Sequence, residues 1–243
     1  MLRYKCCIQY DGSAYFGWQK QKKQISVQEE IENTLSQLFN KKVDIVGCGR
    51  TDTGVHANFY VLHFDLEKIY DENELLYKLN KMLTKNIAVL SMEKVDSNFH
   101  ARFSAKKRTY RYFIHTFKNP FLSAYSLLFT SQLNLELMNE CAEILLGTHD
   151  FTSFSKAHTD VKTNICTVFS ASWKKEKDKI YFEISADRFL RNMVRAIVGT
   201  LIDVGLEKLN KEDFLQIILE KNRNKAKKSV AAHGLFLWNV EYE

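Results

Sequence analysis

Tyr4, Cys6, Ile8 and Tyr10 alternate with Arg3, Lys5, Cys7 and Gln9, and a period of two is that of a half-buried strand. Asp11-Gly12-Ser13 ends it. Ser26 and Glu29 then form a capping signature, followed by Val27, Ile31, Leu35 and Leu38 on one helical stripe. Short apolar runs predict strands at 43–48 and 59–65. Asp71 opens a second helix with the stripe Leu75, Leu79, Met82 and Leu83, and Ile87 to Val95 reads as a strand. The order β-α-β-β-α-β is the split βαβ, or ferredoxin-like, plan. After 96–107 it recurs, carried by element order and not by residue identity. Tyr110, Tyr112 and Ile114 alternate in a strand, and Asn134 caps a helix carrying Leu137, Cys141, Ile144 and Leu145 that Gly147 should stop. Strands follow at about 164–174 and 179–186, joined by a charged turn from Lys175 to Asp178. A helix is predicted from about Phe189 to Val204, closed by Gly205, then a shorter one near Asn210 and a last strand from Leu235 to Tyr242. The expected fold is α+β: two ferredoxin-like halves, 1–105 and 106–243, forming a mostly antiparallel sheet with helices packed on it.

Two stretches carry more polar chemistry than packing requires. Gly47-Cys48-Gly49-Arg50-Thr51-Asp52-Thr53-Gly54-Val55-His56 lies between predicted strands and crowds a carboxylate, a guanidinium and two hydroxyls among three glycines. Loops held by strands are where function concentrates. The plain alternative is a turn whose Asp52 bonds its own backbone. Gly49 and Gly54 also have the spacing of a phosphate-cradling loop, but Val55 occupies the lysine position, as Trp18 does after Gly12 and Gly17. Neither is a nucleotide triphosphate site. On the predicted helix, Phe189, Met193, Ile197 and Leu201 form a buried stripe, while Arg188, Arg191 and Arg195 fall at i, i+3 and i+7, nearly one face. Arg195 borders the buried stripe, and a buried guanidinium wants a carboxylate partner. Asp52 is the acid without an assigned role.

The 243 residues suffice for a full core, and 45% apolar with a single proline fits a folded chain without long linkers. No run is long enough to span a bilayer, and the chain opens on a strand with no leader pattern, so the cytoplasm is the expected compartment. Five cysteines without a C-x-x-C pair, and seven histidines without metal spacing, predict neither disulfides nor a metal. The net charge of +6 is concentrated. Lys20, Lys22 and Lys23 follow Trp18; Lys106, Lys107, Arg108 and Arg111 flank aromatics; Lys221, Arg223, Lys225, Lys227 and Lys228 lie together. Each alone reads as a solvated face. Three clusters interleaved with aromatics point to a polyanion, since phosphates supply affinity and rings stack on bases.

Several ordered segments together resemble one family. They are Tyr10-Asp11-Gly12, Tyr15-Phe16-Gly17-Trp18-Gln19, Ser26-Val27-Gln28-Glu29, Gly49-Arg50-Thr51-Asp52 and Gly54-Val55-His56-Ala57. Further on stand Phe99-His100-Ala101-Arg102-Phe103-Ser104-Ala105, Tyr110-Arg111-Tyr112, Asn119-Pro120-Phe121 and Asp150-Phe151-Thr152-Ser153-Phe154, then Met193-Val194-Arg195, Ile197-Val198-Gly199 and Gly234-Leu235. The chain is similar over nearly its whole length to the TruA family, tRNA pseudouridine synthases of the anticodon stem-loop. The resemblance implies two ferredoxin-like halves flanking a central basic cleft. It implies Asp52 as the catalytic aspartate, Tyr110 as the ring that stacks on the target base and Arg195 as the basic partner of the aspartate. Arg50 matches an arginine associated with base flipping, and Leu235 an apolar residue against the uracil. It further implies tRNA uridines 38, 39 and 40 as substrate, no cofactor, and a homodimer. Thr53 departs from the alanine usual after the aspartate.

The chemistry suits these residues. Making pseudouridine breaks the N1–C1′ bond, turns the uracil and rejoins it through C5, with no change of oxidation state. One carboxylate beside C1′ can stabilise, trap or deprotonate the sugar, whereas glycosidases add a second acid to activate water. An arginine near Asp52 would keep it ionised against desolvation. Two other readings stand beside this one: a tandem RNA-binding module without catalysis, because ferredoxin-like sheets also bind single strands by stacking, and a nucleoside hydrolase releasing free uracil.

Overall fold

The computed structural model describes residues 1–156, 162–176 and 179–243. In chain order the elements are β1 (Leu2–Tyr10), α1 (Val27–Phe39), β2 (Val46–Gly47), β3 (His56–Leu66), α2 (Glu72–Met82), β4 (Ile87–Val95), β5 (Lys107–His115), β6 (Leu127–Leu128), α3 (Leu135–Glu143), β7 (Gly147–Asp150), β8 (Ile165–Glu176), β9 (Lys179–Ala186), α4 (Met193–Gly205), α5 (Lys211–Leu219) and β10 (Leu235–Glu241). They divide into two compact units, Met1–Lys106 with Phe236–Glu243, and Lys107–Leu235. The fold is α+β, its strands mostly antiparallel.

In the first unit β1 pairs antiparallel with β3 on one side and β4 on the other, Cys6 standing opposite Leu62 and Met92. The short β2 pairs antiparallel with β3, Val46 opposite His63. The order β4-β1-β3-β2 is the ferredoxin-like plan read from the element sequence. Alternation explains β1: Tyr4, Cys6, Ile8 and Tyr10 are buried, while Arg3 and Lys5 stay partly exposed on the other face. Ser26 Oγ accepts the Glu29 N–H at 3.2 Å to start α1, and Asp71 Oδ1 accepts that of Glu74 at 2.8 Å to start α2.

The opposite face is fastened by Arg3. Its guanidinium grips Asp65 with two bonds of 2.8 Å and donates to the carbonyls of Ser97 and Phe99 at 2.6 and 2.8 Å. Those bonds hold the Asp65 carboxyl below its ordinary range. Beneath that segment His63 is buried, its Nδ1 accepting the Ala101 N–H at 3.1 Å. Burial, with Arg3 and His100 nearby, pushes its pKa down to about 4.

Three expectations need correcting here. Strand pairing covers only Val46–Gly47 of the run 43–48, and β3 begins three residues early, at His56. Val43 and Ile45 are buried as packing, not as ladder residues. The last strand, expected in the second half, joins the first unit from Phe236 onward. Its Phe236 and Leu237 run parallel to His56 and Ala57 on β3.

The second unit contains the antiparallel set β5-β9-β8-β7, with β6 parallel to β5. Phe151, Phe154, Phe182 and Phe214 are fully buried there with Met138 and Ile197. Asn210 and Asp213 form a reciprocal capping box that starts α5. The expected helix 189–204 starts late, at Met193, because Asn192 adopts a left-handed conformation (φ 67°) that cannot continue from a preceding helical turn. Arg188 and Arg191 therefore precede the helix and share no helical face with Arg195. Gly205 is the last helical residue, and the positive φ that follows α4 belongs to Glu207. Helix α3 ends at Glu143, before Gly147, which opens β7. Lys177 and Asp178 of the expected charged turn lie outside the described residues.

Candidate active site

The loop 47–56 in the first unit is braced from its first residue to its last. Cys48 donates its N–H to Val61 O at 2.8 Å. The Tyr60 hydroxyl bonds Gly49 O at 2.5 Å, and the Tyr10 hydroxyl shares a 2.9 Å bond with Thr51 Oγ1. Trp18 donates its backbone N–H to Thr51 O at 3.2 Å, and its ring stacks on Tyr60 with centroids 4.0 Å apart. Tyr10 sits against both rings. At the far end His56 Nδ1 accepts the Gly12 N–H at 3.0 Å while its ring stacks on Phe236 at 4.6 Å. Each such bond contributes about 1 kcal/mol net and each ring pair about as much again. Their joint effect is geometric: a loop of glycines and small polar residues is held in one shape.

Asp52 lies half-buried in this loop, its carbonyl accepting the Val55 N–H at 3.1 Å. Arg50 is exposed and makes no hydrogen bond or ion pair to another described residue. Thr53 is exposed, so its side chain has room. Gly17 lies behind the loop with φ +83°, and a Cβ there would fall 2.5 Å from Thr51 O. The aromatic segment 15–19 is thus mainly bracing: the rings of Tyr15 and Trp18 are buried, and of its three rings only that of Phe16 is largely exposed.

The second unit holds Tyr110, Arg195 and Leu235. Tyr110 is on β5, half-buried, with its ring edge-on to Phe189 at 5.0 Å. Phe189, expected on a helical stripe, instead packs here. Arg195 belongs to the first turn of α4, and its Nε donates to Val230 O at 2.8 Å while its own carbonyl accepts the Val230 N–H at 3.2 Å. One residue on, Ala231 O accepts the hydroxyl of the fully buried Tyr112 at 2.9 Å. Burial pushes the Tyr112 phenol upward, against the lowering pull of Arg195. Leu235 is buried.

Sequence reading misses the roles of Tyr10, Tyr60, Tyr112 and Val230. The tyrosines read only as strand positions, and nothing in a valine advertises that its backbone grips an arginine. The cations at 106–111 sort unequally: Arg111 pairs with Glu183, which Lys174 also engages at 2.8 Å, and Arg108 donates to Asp187 O at 2.8 Å. Arg111 is therefore committed to cross-strand pairing.

Among the described residues no group of three or more His, Cys, Asp or Glu side chains is placed to hold a metal ion. All five cysteines are buried and free. Burial lifts the thiols of Cys141 and Cys166 to about 11 and about 12, so neither is a nucleophile at neutral pH. No helix among the described residues is long and apolar enough to cross a membrane.

The sequence model of a family described as tRNA pseudouridine synthase matches residues 6–104 and 141–243. The chain is 48% identical to tRNA pseudouridine synthase A of Bacteroides fragilis over 242 residues, covering 99% of this chain and 96% of that protein. It is 48% identical to the protein of the same name from Bacteroides thetaiotaomicron, covering all of this chain and 91% of that one. Against tRNA pseudouridine synthase A of Bacillus subtilis the identity is 42%, with both chains covered in full.

Proposed function

Because the chain belongs to the tRNA pseudouridine synthase family, we propose that it isomerises uridine to pseudouridine in the anticodon stem-loop of tRNA, at positions 38, 39 and 40, with Asp52 as the catalytic carboxylate. The observation that carries the reading is the bracing of Asp52. A carboxylate on a loop pinned at Gly49, Thr51 and His56 is pre-organised, and catalysis depends on groups already aimed at the developing charge. Base flipping needs a cavity for the extruded uracil and groups that offset the lost stacking. Tyr110 stacks on the base, Leu235 packs against it and Arg50 takes part in its extrusion.

In this reading Asp52 meets the sugar as the N1–C1′ bond breaks. The uracil leaves with the bonding pair on N1, turns, and rejoins C1′ through C5, whose hydrogen departs as a proton while N1 takes one up from solvent. Arg195 serves as the basic partner of the aspartate. No atom is lost from the nucleoside apart from that exchanged proton, so the reaction needs no cofactor. The protein acts as a homodimer in the cytoplasm.

The test uses tRNA carrying tritium at uridine C5. Wild-type protein releases label from sites that map as pseudouridine at 38, 39 or 40, and Asp52→Asn releases none while still binding tRNA. Unchanged release by Asp52→Asn overturns the assignment of the carboxylate. Free uracil as product would make the protein a hydrolase, and binding without release would leave an RNA-binding module.

A further inference from the structure

Five cations crowd residues 221–228, and the structure divides them. Lys221 lies 3.4 Å from the Asp150 carboxylate, and Lys225 lies 3.0 Å from that of Glu220. Arg223 turns inward: its guanidinium donates to the carbonyls of Ala226 and Lys227 at 3.1 and 3.3 Å and to Ser229 Oγ at 3.0 Å. It shapes its own loop. Lys227 and Lys228 remain, both exposed, and among the described residues neither has a carboxylate in ion-pair range.

Their side chains project from a backbone that is fixed. Lys227 N–H donates to Thr200 Oγ1 at 3.2 Å, and Lys228 O lies so close to α4 that a Cβ on Gly199 would fall 2.1 Å from it. Ser229 Oγ accepts from Asn192 Nδ2 at 2.7 Å, and Val230 makes its two bonds with Arg195. The strap 227–230 therefore lies along the first two turns of the helix that carries Arg195. Two exposed lysines without a carboxylate partner among the described residues thus stand on a pinned strap whose far end, Val230, is bonded to Arg195. On the proposed function, the anion that meets them belongs to RNA.

We propose that Lys227 and Lys228 are phosphate contacts for the backbone of the tRNA substrate, next to the nucleotide being modified. This rests on the reading of the protein as a synthase acting on tRNA. It goes further in separating the two lysines that meet phosphate from the three cations beside them that do not.

The experiment measures binding of a tRNA transcript by fluorescence anisotropy across a series of KCl concentrations. The proteins are wild type, Lys227→Gln, Lys228→Gln, and the controls Lys221→Gln and Lys225→Gln. Removing one phosphate-binding charge makes the dependence of log K on log salt shallower by roughly 0.7 to 1. The expected result is that shift for Lys227→Gln and for Lys228→Gln, with a several-fold loss of affinity at low salt, and a wild-type slope for both controls. A wild-type slope in Lys227→Gln and Lys228→Gln overturns the proposal, and so does an equal shift in all four variants. Tritium release by the wild type, assayed on the same preparation, separates the two failures. Release with an unaltered slope sinks this inference alone, and no release sinks the reading beneath it.

Discussion

Arg195 and Val230 hold each other twice, side chain to carbonyl at 2.8 Å and amide to carbonyl at 3.2 Å. The Nε–H of Arg195 is taken up by this grip, which fixes the plane of the guanidinium. A lysine would keep the charge and lose the anchored, planar presentation. Arg195→Lys should therefore lower kcat at least tenfold, corresponding to about 1.4 kcal/mol or more of transition-state stabilisation. The melting temperature should fall only slightly. Steady-state kinetics beside thermal denaturation check this; equal losses in both would mean that Arg195 serves the fold and not the reaction.

Gly17 tests the bracing of Asp52 from behind. Its positive φ, and the 2.5 Å that would separate an added Cβ from Thr51 O, leave no room for a methyl group. Gly17→Ala must displace the backbone of Thr51 and Asp52. We expect a stability loss of about 1–3 kcal/mol by urea denaturation, with tritium release falling well beyond the fraction of protein unfolded. A stable Gly17→Ala variant with full activity would show that the loop shape is not required.

Gly199 does the same for the strap. A methyl group there meets the backbone carbonyl of Lys228, which cannot swing aside as a flexible side chain would. Gly199→Ala should cost about 1–3 kcal/mol and detach residues 227–230 from α4. Amide exchange at Lys227 and Val230 reports detachment directly, since both N–H groups bond to α4 residues. Unchanged protection at the two amides would refute the packing argument.

His63 predicts a pH dependence of stability. Its pKa is about 4 in the fold against 6.5 ordinarily, with burial the leading cause. Between those values the unfolded chain binds a proton that the folded chain refuses. The stability it contributes is complete above pH 6.5 and drains away as pH falls toward 4, by at most about 1.4 kcal/mol per pH unit. His63→Gln keeps an acceptor for the Ala101 N–H and removes the titration. The difference between wild-type and variant stability should therefore shrink across that window, measured by denaturant unfolding at stepped pH. A constant difference would mean that His63 titrates normally.

The period of two in β1 and β5 and the helical stripes of α1 and α2 are legible because each element buries one face, which writes its period into the residue order. The polar loop at 47–56 is legible because strand-flanked glycines with an acid and a guanidinium have few structural uses. The late start of α4 is not legible. Phe189 keeps helical spacing with Met193, yet its ring goes to Tyr110, and Asn192 takes a left-handed conformation that asparagine tolerates without advertising it. The two residues of β6 and four of β7 are too short to carry a period. Partners distant in sequence, such as Arg111 with Glu183 or Arg195 with Val230, depend on register and docking that no local pattern encodes.

Residues 236–243 belong to the first unit although all of the second precedes them in the chain. During synthesis the ribosome therefore releases Tyr10, Asp52 and His56 long before Phe236, the ring that stacks on His56. The N-terminal unit emerges first and is completed last, so nascent chains must wait for the whole second unit to be translated before the edge of β3 next to the aspartate loop receives its final strand.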